Sequence, residues 1–117
     1  LRFELGQNLF NAGEFSDAIP ELQRAKSNPH LRIRTMLMLG QCYEAKNMLD
    51  LAVRQFKEAN DELFAMDGTK KDMLYSMGLV YEKLEDKEGA LECFKQIYEA
   101  DYGYRDVAKR VEESYGG

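Results

Sequence analysis

Residues able to do covalent or metal chemistry are few in this chain and scattered. His30 is the single histidine; it falls in the turn-forming stretch Ser27-Asn28-Pro29-His30, so a Ser–His or Cys–His nucleophilic pair would have to be built from it alone. Cys42 and Cys93 are the two cysteines. Both fall on expected packed helix faces, where a thiol acts as a small hydrophobe, and they read as free buried thiols of a reducing compartment. No Cys or His cluster has metal-ligand spacing, and no glycine-rich loop could cradle a phosphate. Glu82 and Asp86 could meet at i, i+4, but such pairs are solvated surface groups rather than an acid–base couple. Tyr102, Tyr104 and Arg105 have the types that stack on a nucleic-acid base. A formal net charge of -5 opposes that use, because phosphate binding needs a clustered excess of Lys and Arg, so the patch reads as a packing turn. The expectation is no catalytic residue, no metal and no cofactor.

What the chain has instead is repetition. Gly6 returns as Gly40 and Gly78, at offsets of 34 and 38 residues. The same offsets carry Ala18 to Ala52 and Ala90, and Leu22 to Phe56 and Phe94. They also relate Leu9, Tyr43 and Tyr81, then Leu5, Leu39 and Met77, then Ala25, Ala59 and Ile97. Six positions in register across three copies point to one supersecondary unit stacked on itself, since neither half of such a unit could bury its apolar stripe alone.

Helical periodicity fills the units, taken as residues about 1–30, 31–68 and 69–102 of one domain spanning 1–117. In the first, Leu1, Phe3, Leu5, Leu9 and Phe10 give an amphipathic helix over 1–12 that breaks at Gly13. Ser16 is the expected N-cap of the next helix, with Pro20 close to its first turn. In the second, Met36, Leu39, Gly40 and Tyr43 precede a turn at Lys46-Asn47. A second helix then runs from Leu49 and is expected to continue through Leu63, Phe64 and Met66, about one turn longer than its counterparts, so absorbing the four extra residues. Met73, Leu74, Met77, Gly78 and Tyr81 open the third unit, a turn follows at Leu84-Glu85-Asp86-Lys87, and Ala90, Leu91, Phe94 and Ile97 close it. Gly89 within that last helix costs around 1 kcal/mol against Ala unless close packing requires it. A final helix over 105–115 carries Val107, Ala108, Val111 and Tyr115 on one side and has Glu112 where the units have glycine, as a terminal cap would.

Length and composition agree with a globular chain: 117 residues, 44% hydrophobic and 32% charged, with two prolines. No apolar run reaches about 18 residues, so membrane insertion is not expected, and an acidic chain of this kind is suited to protein partners. The start at Leu1 suggests a fragment cut inside a helix, with further repeats or an export signal possible upstream; the expected location is cytoplasmic.

Leu39, Gly40, Tyr43, Ala52, Phe56 and Ala59 in helical pairs of 34 residues resemble the tetratricopeptide repeat, over about 100 of the 117 residues. The departures replace hydrophobic by hydrophobic: Met36 and Leu74 stand at the family's early Trp, Leu9 and Leu22 at its Tyr and Phe, Ile97 at an Ala, and the closing Pro is absent or displaced to Pro29. The resemblance implies an all-α solenoid of three antiparallel helix–turn–helix units in a right-handed superhelix with a C-terminal capping helix. It further implies a concave groove, lined by the first helix of each unit, that grips a peptide or helix of another protein in a scaffold or adaptor role.

Transferring the family's inward positions assigns that groove to Phe3, Gln7, Phe10 and Asn11, to Arg34, Leu37, Gln41 and Glu44, and to Asp72, Tyr75, Leu79, Glu82 and Lys83. Phe3, Phe10, Leu37, Tyr75 and Leu79 are expected as exposed apolar anchors, and Glu44, Asp72 and Glu82 suggest a ligand with basic residues around an apolar anchor. Family members that clamp the terminal carboxylate of heat-shock chaperones use Lys, Asn and Arg at places held here by Phe3, Gln7, Met38, Asp72 and Ser76. None supplies the cationic donors a carboxylate needs, so that activity is not expected. The alternative is self-association as a homo-oligomer through the uncovered first unit at Leu1, Leu5 and Leu9.

Overall fold

The computed structural model of the chain describes residues 2–116; Leu1, placed above on the first helical stripe and at the open end, and Gly117 lie outside the described residues. The described residues form seven helices: α1 (Arg2–Asn11), α2 (Phe15–Ala25), α3 (Arg32–Ala45), α4 (Leu49–Asp61), α5 (Gly68–Lys83), α6 (Lys87–Ala100) and α7 (Val107–Ser114). Among the described residues the architecture is all-α and built of successive helix pairs. The chain divides into two compact units, residues 1–59 and 60–117.

In the first unit, α1 packs on α2 and α3, and α2 on α3. Its core gathers Phe3, Ala18, Leu22, Ala25, Leu39 and Cys42. In the second, α5 packs on α6 and α6 on α7, burying Met73, Leu74, Val80, Phe94, Ile97, Val107 and Val111. The repeated glycines explain themselves here. A β-carbon added at Gly40 would lie 2.3 Å from the Phe56 ring, one at Gly78 2.7 Å from the Phe94 ring, and one at Gly6 2.8 Å from the Leu22 side chain. Two of the sequence columns are therefore one contact, a glycine seat for the ring or leucine sixteen residues later. The closest approach is from helix backbone to the side chain of the next helix, with the Leu22 backbone N also 3.4 Å from a β-carbon at Gly6. Gly89 has a packing reason too: its β-carbon would meet the Tyr81 ring at 2.8 Å.

The turns inside the pairs repeat as strictly as the seats. Gly13 N–H donates to the Phe10 carbonyl and Glu14 N–H to that of Leu9; Asn47 and Met48 pair likewise with Glu44 and Tyr43, and Glu85 and Asp86 with Glu82 and Tyr81. These paired bonds close the helix C-terminus around one left-handed residue. That residue is Gly13 (φ 78°), Asn47 (φ 60°) or Glu85 (φ 60°).

Several expectations are corrected. Ser16 is not the N-cap of α2: the helix starts at Phe15, the preceding Glu14 makes no side-chain cap bond, and the Ser16 hydroxyl accepts from Lys46 Nζ instead. Pro20 consequently lies inside α2 rather than near its first turn. It is the sixth residue, where the ring denies the Ser16 carbonyl its helical donor. Helix α4 does not run on through Leu63, Phe64 and Met66; it ends at Asp61, and Phe64 is 92% exposed. Asp67 claims the following segment by accepting from the Lys70 N–H as the N-cap of α5. The four extra residues are shared instead: α4 has 13 residues against 11 in α2, and α5 has 16 against 14 in α3. Tyr115, expected on the packed side of the last helix, is its C-cap and is 69% exposed.

Candidate partner-binding surface

The first helices carry the residues assigned to recognition, and each unit uses them differently. In the first unit, Gln7 and Phe10 on α1 and Leu37, Gln41 and Glu44 on α3 are half-buried, while Asn11 and Arg34 are exposed. Phe10 meets Phe15 edge-on, with ring centroids 5.5 Å apart. Phe3 is not the exposed anchor expected: it is 6% exposed and belongs to the core, because its ring enters the space among α1, α2 and α3 and Arg34 closes over it at 4.9 Å. Arg34 thus acts as a lid on a core residue as well as a surface cation.

In the second unit the same helix position is covered by the chain's own last helix. Tyr75, expected as an exposed anchor, is 9% exposed. Its ring touches Phe94 and Tyr104 edge-on at 5.6 and 5.8 Å, with Arg105 at 4.8 Å and Arg110 at 5.8 Å over it. Its hydroxyl donates to Asp106 at 2.7 Å. Asp72 accepts the Tyr104 hydroxyl and pairs with Arg105 at 3.6 Å, while both oxygens of Glu82 take Arg110 at 2.7 Å. Leu79 is half-buried, and Lys83 is exposed. The acidic residues set aside for a basic ligand therefore already face two arginines of this chain, which corrects the expectation at Asp72 and Glu82.

These contacts leave their mark on protonation. Burial first, and the bond to Asp72 second, push the Tyr104 phenol up to about 12. Tyr75 is raised by burial and by Asp106. Asp106 is held below the ordinary carboxylate range, first by the Tyr75 hydroxyl and then by Arg110. At Arg110, burial works against the charge but the bonds to Asp106 and Glu82 outweigh it.

Tyr104 and Arg105, expected as a packing turn, do pack on Tyr75 and Asp72, whereas Asp106 and Arg110 are neighbours of these positions that were not singled out from the sequence. Their signal was the repeat itself: Asp106 follows Asp72 by 34 residues, so α7 takes the place of a next first helix and must lie against α5.

Among the described residues no group of three or more His, Cys, Asp or Glu side chains could hold a metal ion. Burial raises the Cys42 thiol to about 11, and burial with Glu92 and Asp86 raises that of Cys93 to about 12, so both stay protonated and are poor nucleophiles. His30 is exposed in its turn. No helix among the described residues is long and apolar enough to cross a membrane.

The family model of the tetratricopeptide repeat matches residues 33–61 and 72–104. No curated protein matches the chain. Among solved structures, the chain is similar to the type III secretion chaperone SycD of Yersinia enterocolitica in complex with a peptide of the translocator YopD. The TM-score is 0.77 at 18% identity, over 96% of this chain and 88% of that one. It is similar also to PcrH in complex with the chaperone binding region of PopD, with TM-score 0.72 and 19% identity over 98% of this chain and 84% of that one. A type III secretion complex from Aeromonas hydrophila gives 0.73 and 21% over 96% and 72%. At these identities the likeness is one of fold.

Proposed function

The chain belongs to the tetratricopeptide repeat family, and from that premise we propose that it is a protein-binding module, without catalytic activity, that holds a peptide or helix of a partner protein against its first helices. The partner we infer is of the kind that the similar structures hold, a segment of a translocator-type protein. The observation that carries this reading is the set of half-buried residues on α1 and α3 of the first unit that mixes apolar and polar types, Gln7, Phe10, Leu37 and Gln41; in the second unit Leu79 on α5 is likewise half-buried. Such residues offer apolar anchorage with hydrogen-bonding groups beside it, as a peptide needs. An apolar anchor is kept for the ligand; the basic flank is kept only near Glu44, since at Asp72 and Glu82 it would have to displace Arg105 and Arg110. A clamp for a terminal carboxylate is no part of the proposal, and the buried free thiols support a reducing, cytoplasmic setting.

The test is a photo-cross-linking amino acid placed at Gln7, Gln41 or Leu79, with exposed Lys57 and Glu92 on the second helices as controls, in cells of the source organism. One shared partner captured from the first three sites and from neither control is the expected result. Equal capture at Lys57 and Glu92 would remove the reading.

One observation favours a second reading, self-association. Leu5 on α1 is an apolar side chain that is 46% exposed. Sedimentation across a concentration series, repeated with Leu5→Glu, decides it: a dimer lost on substitution supports it, and a monomer at all concentrations excludes it.

A further inference from the structure

The fourth glycine position is the point at which the repeat is broken. Gly6, Gly40 and Gly78 each seat a side chain of the following helix, whereas the residue 34 after Gly78 is Glu112. Beside Glu112, between α6 and α7, lies a cavity of about 290 Å³ lined by Lys95, Tyr98, Glu99, Val111, Glu112 and Tyr115. That volume lies at the small end of ligand sites and suits one long side chain rather than a helix or a large ligand.

The lining is specific in its chemistry. Tyr98 and Tyr102 lie with ring centroids 5.4 Å apart at 56°. Both phenols donate to the same oxygen of Glu112, Oε2, at 3.2 and 3.5 Å, and Oε1 accepts from neither. Buried Val111 gives an apolar floor. At the other end, the ammonium of Lys95 sits 5.7 Å over the Tyr115 ring, so one aromatic face of the cleft already takes a cation from the chain itself. Two carboxylates against one ammonium leave the lining negative. Aromatic faces next to carboxylates, over an apolar floor, attract a cation carried on an apolar stem.

We propose that the α6–α7 cleft is a binding site for a single arginine side chain of a protein partner. A planar guanidinium stacks on Tyr98 or Tyr115 and presents paired N–H donors to Glu112 and Glu99; a lysine ammonium does only the second. Lys95 competes with it for the Tyr115 face. The inference is independent of the surface on α1, α3 and α5.

The test uses N-acetyl-arginine amide as the probe, followed by amide chemical shifts in the ¹⁵N-labelled chain. The expected result is saturable movement at Lys95, Tyr98, Val111, Glu112 and Tyr115 with a dissociation constant in the millimolar range, as befits one side chain. The lysine counterpart should bind more weakly by roughly threefold to tenfold, and the uncharged citrulline counterpart should produce no saturable movement. Glu112→Gln, at an exposed position, should weaken binding by about tenfold. Lys95→Ala should strengthen it severalfold, which a merely structural lysine would not do. Equal response to citrulline, no gain on Lys95→Ala, or no saturable movement at these residues would each overturn the site. So would movement with protein concentration in the absence of probe, which would place a second copy in the cleft, or protection of the cleft by a following segment in a longer form of the protein.

Discussion

Gly40 and Glu112 stand at equivalent points of the repeat and do opposite things. The first is buried and leaves room for the Phe56 ring, and the second is exposed and gathers phenol hydroxyls. A carboxylate-bearing side chain at this point of the repeat lines an open cleft against α6. Within each helix pair the close contact thus rests on a single small residue and the side chain sixteen positions later.

The comparison is broken most severely by removing what sits in the seat. Phe56→Ala deletes a ring with no exposed surface and should cost about 3–5 kcal/mol in urea unfolding, a large part of the 5–15 kcal/mol typical of a domain. Gly40→Ala, which pushes a β-carbon into that ring, should cost about 1–3 kcal/mol or more by overpacking. Because both act on one contact, Gly40→Ala made in the Phe56→Ala background should cost far less than it does alone. Additive costs would mean that Gly40 and Phe56 are not a coupled pair.

A smaller effect ranks the seats against each other. Gly6 faces the Cδ2 and Cγ atoms of Leu22, whereas Gly40 and Gly78 face rings. A leucine tip rotates more readily than a buried phenyl ring, so Gly6→Ala should be the mildest of the three, at about 1 kcal/mol by the same overpacking term. Unfolding midpoints in the order Gly6→Ala, Gly78→Ala, Gly40→Ala, from least to most destabilised, would bear this out, and the reverse order would count against the seat as the cause.

The pairing of helices was legible in the sequence because it rests on periodic apolar positions that local chemistry enforces. Leu39, Phe56, Ala59 and Ile97 lie in the core where their spacing puts them. What escaped was set by long-range neighbours. Phe3 and Tyr75 have the right helix face for recognition, yet Arg34 covers one, and Tyr104, Arg105 and Arg110 cover the other. No local pattern distinguishes an apolar residue facing solvent from one facing an arginine some thirty residues away. The end of α4 escaped for a different reason. Leu63, Phe64 and Met66 continue a helical apolar period, but the Asp67 cap of the next helix outcompetes it.

The turns allow a finer test, of opposite sign. Glu85 holds a left-handed conformation that Gly13 adopts freely at the same point of the first pair. Glu85→Gly should stabilise the chain by about 1 kcal/mol. Asn47→Gly should gain less, since asparagine tolerates this region better. Both effects are read from urea midpoints, and a loss of stability in Glu85→Gly would show that its side chain contributes more than the backbone strain costs.

The smallest effect concerns how the terminal helix is held. The glycine seats have no titrating group, whereas α7 is tied to α5 through Tyr75, Asp106, Arg110 and Glu82 and its entry turn through Tyr104 and Asp72. Asp106 is depressed below its ordinary value of 3.8, so its contribution is complete above that value and fades as pH falls through the lower folded value. Tyr104 has the opposite sign: raised from 10.0 to about 12, its contribution is complete below 10.0 and fades as pH rises toward 12. The stability gap between the wild type and Asp106→Asn should therefore narrow in acid, and the gap to Tyr104→Phe should narrow in alkali. The gap to Gly40→Ala should stay level across both limits, because a β-carbon against a ring has no proton to lose. If acid narrows the Gly40→Ala gap as much as that of Asp106→Asn, the seats and the terminal helix melt as one unit, and the distinction between an apolar stack and a polar end fails.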